Sequence, residues 1–97
     1  MYEAKPTKQF KKDLKIAEKR GYNLNLLTDL IIKLIKGELL EPKHNDHALQ
    51  GEYKDCRECH VTPDWLLIYK ISKNTIYLYL TRTGTHSDLF KNKQGGK

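Results

Sequence analysis

His44, His47, His60, Asp64, Arg82 and His86 are the side chains of this sequence best equipped to move protons and hold an anion. Imidazoles, a carboxylate and a guanidinium together suit cleavage of RNA through its own ribose 2′-hydroxyl. One group must take the 2′-OH proton and another must protonate the departing 5′-oxygen. Histidine titrates near neutral pH, so it can do either. A fixed guanidinium stabilises the charge that gathers on the phosphorane. Each residue also has an ordinary reading. A histidine on a strand is commonly a hydrogen-bonded structural group. Asp64 follows Pro63 as many turn residues do. Arg82 suits a surface ion pair, and Trp65 suits the core. Residue types alone do not choose.

A second chemistry is spelled out by Cys56-Arg57-Glu58-Cys59-His60, the C-x-x-C-H string of c-type haem attachment. The sequence argues against it. The only methionine is Met1, so the usual methionine axial ligand is missing. Two cysteines three apart on an extended chain point to opposite faces, and two thiols do not complete a zinc site. The expectation is no metal, no cofactor, and two reduced thiols with at least one of them in the core.

Hydrophobic periodicity supplies the elements that must position these groups. Tyr2 to Lys5 reads as a short strand, interrupted by Pro6. Thr7 suits an N-cap. From Lys8 to Arg20, Phe10, Leu14 and Ala17 recur at helical spacing, and Gly21 fits the stop. A second helix starts near Asn23 or Asn25, carries a stripe from Leu26 to Ile35, and ends at Gly37. The short link predicts a helical hairpin. Residues 38–51 read as a loop. Tyr53 to Val61 reads as a strand, and Trp65 to Ile71, "WLLIYKI", as a strand covered on both faces. Ser72-Lys73-Asn74 is a turn, and Thr75 to Thr83 alternates as a third strand.

Helices segregated from strands argue for an α+β fold. It has a short N-terminal strand, a two-helix hairpin, and a three-stranded antiparallel meander with the helices on one face. Arg82 shares its parity with Ile76, Leu78 and Leu80, so a regular strand would aim a charge at the core. A bulge or strand end near Thr81 to Thr83 is expected to redirect it.

The chain has 97 residues, enough for one domain over residues 1–90, with a basic, disordered tail over 91–97. Its formal net charge is +6. That favours an acidic partner, nucleic acid or protein. No apolar run approaches the ~18 residues of a membrane span. Nor does the N-terminus hold a signal-like apolar stretch, which gives a cytoplasmic expectation.

Three blocks, "NDHALQG" (45–51), "RECHVTPDWLLIYK" (57–70) and "RTGTHSDLF" (82–90), resemble the YafQ branch of the RelE/ParE toxin superfamily. The likeness runs from Met1 to Phe90. It implies the toxin of a type II toxin–antitoxin pair, a ribosome-dependent mRNA endonuclease acting in the A site without a metal. His86 is then the general acid. His47, His60 and Asp64 share base, orientation and phosphate-binding roles, and Arg82 holds the scissile phosphate. Phe90 stacks on or braces a base, with help from Trp65. Lys8, Lys11, Lys12 and Lys15 gain a role in attraction to ribosomal RNA. The implied partners are mRNA, the ribosome and an acidic antitoxin, with operator DNA reached only through the antitoxin complex. The resemblance also implies that the strand ends converge on the sheet face away from the hairpin. Strand order alone leaves that open. Two other classes compete: a ParE-like poison of a target such as DNA gyrase, and a basic nucleic-acid-binding regulator.

Overall fold

The computed structural model describes residues 1–72 and 74–90. The expected tail at 91–97 and Lys73 of the expected turn lie outside the described residues. The element order is β1 (Glu3–Pro6), α1 (Lys8–Lys19), α2 (Leu24–Ile35), β2 (His47–Ala48), β3 (Arg57–Thr62), β4 (Trp65–Ile71), β5 (Tyr77–Gly84) and α3 (His86–Phe90).

The helices start and stop where local chemistry dictates. Thr7 accepts a hydrogen bond from the Phe10 amide at 3.0 Å, which caps α1. Asn23 does the same for α2 through the Asn25 amide. Gly21 and Gly37, with φ of 81° and 76°, take the left-handed positions that follow each helix. Phe10 and Ala17 are buried on α1, and Leu27, Leu30 and Leu34 on α2. These stripes meet Cys59, Val61, Trp65, Leu67, Tyr69, Leu78 and Leu80 from the sheet in one apolar layer.

The sheet has five strands in the order β1-β5-β4-β3-β2. The meander β3-β4-β5 is antiparallel, as its turns predict. Two features go beyond what the sequence reading specified. First, β1 pairs in parallel with β5, from Glu3 opposite Tyr77 to Pro6 opposite Leu80. Second, residues 47–48, read above as loop, form a strand against Arg57 and Glu58. Two residues are too few for a periodic signal. The strand read from Tyr53 begins instead at Arg57, because Gly51–Tyr53 forms a 3-10 turn. Ile76 precedes β5 and is exposed, leaving Leu78 and Leu80 as its core residues.

The expected bulge is present. Ile68 pairs with Arg82 and Tyr69 with Leu80, so Thr81 is the extra residue. Thr7 pins it: its hydroxyl donates to the Thr81 carbonyl at 2.9 Å while its oxygen caps α1. Beyond the bulge, Thr83 returns to the helix side and is buried. Its hydroxyl accepts from Trp65 Nε1 at 2.8 Å and donates to the Leu66 carbonyl at 2.7 Å. Trp65 is buried against Tyr22, with ring centroids 4.9 Å apart. Thr83→Val keeps the shape and removes both bonds. It is expected to destabilise the fold by about 1–3 kcal/mol, read as a lower urea midpoint at unchanged slope.

Candidate active site

Pairing register builds the site on the sheet face away from α1 and α2. Residues paired across neighbouring strands share a face. One row is therefore His47, Glu58, Ile68 and Arg82, across β2, β3, β4 and β5. The next row is His60, Leu66 and Gly84. β4 separates β3 from β5 by two strand spacings, roughly 10 Å. Helix α3 closes that gap. Leu89 packs on Leu66 and Ile68, so the helix lies over β4. Its first residue, His86, then stands with its ring centroid 6.0 Å from that of His60. The strand ends do converge.

Glu58 organises the histidines. The residue is only 3% exposed. Oε1 lies 3.2 Å from His47 Nε2 and 3.8 Å from His60 Nε2. His47 Nδ1 donates to the Asn45 carbonyl at 2.6 Å. The loop before His47 is fixed by Asp46, which accepts from Tyr69 Oη at 2.7 Å and from Arg57 Nε at 2.9 Å. Burial, followed by the Asp46 contact, raises the Tyr69 phenol above its ordinary value. His44 Nδ1 donates to the His60 carbonyl at 2.7 Å and holds that strand end.

Arg82 is tied down at the edge of β5. β1 leaves the sheet after Pro6, opposite Leu80, and Asp13 of α1 takes its place. The Thr83 amide donates to Asp13 Oδ2 at 3.1 Å. Arg82 donates Nε to Oδ2 at 3.0 Å and Nη2 to Oδ1 at 2.9 Å. Asp13 is buried, so this is a charge pair with every oxygen engaged. Its hydrogen bonds, with a further contribution from Tyr53, raise Arg82 above the usual arginine range. Tyr53 meets Phe90 edge-on at 5.6 Å, and Phe90 lies 5.9 Å from the His86 ring.

The sequence-derived candidates divide accordingly. His47, His60 and His86 gather with Phe90 on one face, and Arg82 shares the row of His47 and Glu58. Asp64 does not join them. It is exposed in the β3–β4 turn and borders a shallow cleft with Tyr22, Asn23 and Leu26 on the helix side. Trp65, expected to help Phe90 at a base, is instead buried against Tyr22 and hydrogen-bonded to Thr83. Lys8, Lys11, Lys12 and Lys15 are exposed on α1, across the sheet from the histidines. Sequence reasoning missed Glu58 and Asp13. Glu58 was visible as the residue two before His60, hence on its face. Asp13 was visible as the residue at helical spacing between Phe10 and Ala17.

Solved structures of small bacterial toxins share this fold. A metal-bound toxin from Helicobacter pylori superposes with a TM-score of 0.87 at 47% identity, covering 93% of this chain and 100% of that one. The toxin in the Escherichia coli DinJ-YafQ complex gives 0.84 at 41% identity, covering 93% and 99%. The mRNA interferase toxin YafQ of E. coli K12 is 46% identical over 83 residues, which is 84% of this chain and 88% of that protein. The family model for the bacterial toxin of type II toxin-antitoxin system, YafQ, matches residues 2–91, and the chain belongs to that family. The H. pylori relative holds a metal. Here, among the described residues, no three His, Cys, Asp or Glu side chains are grouped to hold one.

Both cysteines are free thiols. Cys59 is fully buried on the helix side, and burial pushes its thiol up to about 12. Cys56 is half-buried on the other face, beside Leu66 and Ile68. Under native conditions iodoacetamide is expected to label Cys56 well before Cys59, and denaturation to equalise them. Mass spectrometry of the labelled peptides checks this.

Asp88 is held well below the usual carboxylate range, chiefly by the hydrogen bonds of Arg20. A depressed folded-state value contributes stability above the unfolded value, about 3.9, and loses it as pH falls through the folded one. Because the pair is partly exposed, Asp88→Asn should be only slightly less stable than wild type above about pH 5. The difference should shrink below about pH 4, as measured by urea unfolding at each pH.

Proposed function

We propose that this chain is the toxin of a type II toxin–antitoxin pair and an mRNA endoribonuclease acting in the ribosomal A site. The observation that carries the reading is the His60–His86 pair at 6.0 Å, with Glu58 behind it and Arg82 in the neighbouring row. A phosphodiester laid between the two imidazoles meets a base on one side and an acid on the other. His60, with His47 and Glu58 behind it, takes the 2′-OH proton. The freed 2′-oxygen attacks the adjacent phosphorus, and His86 protonates the leaving 5′-oxygen. The products are a 2′,3′-cyclic phosphate and a 5′-hydroxyl. Arg82, steadied by Asp13, stabilises the charge on the phosphorane. Phe90, braced by Tyr53, supports a base beside the cut. Asp64 stands apart from the histidines and is given no step.

The relative named mRNA interferase supports the reaction class, and the DinJ-YafQ complex supports an antitoxin as partner. The exposed lysines of α1 supply sequence-independent attraction to ribosomal RNA. No metal is assigned a role. A gyrase poison would need no acid–base set, and gyrase supercoiling should be unaffected by this protein.

Primer extension on mRNA after induction tests the proposal. Wild type should give cuts at fixed positions within codons, and His86→Ala should lose them by about 10²–10⁴-fold at unchanged secondary structure. Toxin stripped of bound metal on a chelating resin should keep its rate. Undiminished cutting by His86→Ala would overturn the assignment.

A further inference from the structure

Helix α3, which carries His86, has five residues, too few to hold itself; isolated helices under about 12 residues are marginal. Its order comes from its neighbours. Leu89 supplies an apolar anchor on β4. The other anchor is Asp88. Its amide donates to Thr85 Oγ1 at 3.1 Å, and its Oδ2 accepts from the Thr85 amide at 2.9 Å, a reciprocal cap. The same carboxylate takes both arms of Arg20: Nη1 to Oδ2 at 2.7 Å and Nη2 to Oδ1 at 3.1 Å. A Cβ at Gly84 would come within 2.9 Å of Oδ2, so the end of β5 passes directly against this knot.

Arg20 belongs to the other side of the molecule. It is the C-cap of α1, with its amide bonded to the Ile16 carbonyl at 3.0 Å. Its guanidinium also lies 6.0 Å from the centre of the Tyr22 ring. The rigid helix layer thus reaches around the end of the sheet and grips α3 within one turn of His86.

We propose that Arg20 is a positioning residue: its two-armed hold on Asp88 sets the imidazole of His86 opposite His60. The proposal rests on the reading of His86 as proton donor. A partly exposed ion pair adds little to global stability. Its effect should fall on the rate of cleavage, where a displacement of about 1 Å can cost 10²-fold.

Arg20→Met in the full chain, assayed on ribosome-bound mRNA, should lower kcat by about 10- to 100-fold with KM and melting temperature nearly unchanged. Arg20→Lys, which keeps the charge and loses the fork, should fall between. If Arg20→Met loses its fold by circular dichroism, Arg20→Lys carries the same test. In the His86→Ala background the Arg20 change should add no further loss. Hydrogen exchange gives a readout independent of cleavage. Amides 85–89 should exchange faster in the variant while those of β3 and β4 stay as in wild type. A wild-type kcat, an equal further loss in the His86→Ala background, or unchanged exchange at 85–89 would each overturn the proposal. A fully active His86→Ala protein would instead remove the reading beneath it, and that is seen before any Arg20 variant is made.

Discussion

A strand alternates its side chains strictly, and the rest of this molecule depends on one place where β5 breaks that rule. Without Thr81 as an extra residue, Arg82 would point into the layer formed by Leu78 and Leu80. With it, Arg82 joins the row of His47 and Glu58, and Thr83 turns inward to serve Trp65. The bulge is held by contacts 74 and 69 residues apart in sequence: Thr7 to the Thr81 carbonyl, and Asp13 to Arg82. Asp13 is unusual in lying buried on an otherwise apolar helix face. Such burial is tolerable because the carboxylate receives a guanidinium fork and a strand-edge amide that β1 has left without a partner.

The two faces of the sheet then have separate duties. The helix side is mainly apolar, and it includes the thiol of Cys59. The far side carries a smaller cluster, Leu66, Ile68 and Leu89, with Leu49, Tyr53, Cys56 and Phe90 packed against it, and it seats α3. Polar groups surround that cluster. The side chains of the candidate site come from strands and a helix start, with buried Glu58 and Asp13 behind them. Reactive groups braced in this way keep their geometry without a deep pocket around them.

Much of this could be read in the sequence. The helix caps, the glycine stops and the apolar run of β4 each have a local cause, and each was found. Even the bulge was legible, because Arg82 at a core parity has few alternatives. What escaped was long-range. β1 pairs in parallel with β5, and nothing in "YEAK" specifies its neighbour. The two residues of β2 are too short to show a period. Asp64 and Trp65 lie next to the right strand yet face the hairpin, since the tight turn after Thr62 sends the chain back on the helix side. The Arg20–Asp88 pair joins residues 68 apart, and no local rule connects them.

The parallel pairing of β1 with β5 has a consequence for biosynthesis. The first strand waits for a partner that is made only after the helices and the meander's first two strands. Until then the bulge that turns Arg82 does not exist, and α3, which follows β5 in the chain, has not yet brought His86 to His60. During synthesis, therefore, the two halves of the candidate site meet only after β5 and α3 have been made. The parallel pairing of β1 with β5 is a non-local contact of the kind that forms late in folding.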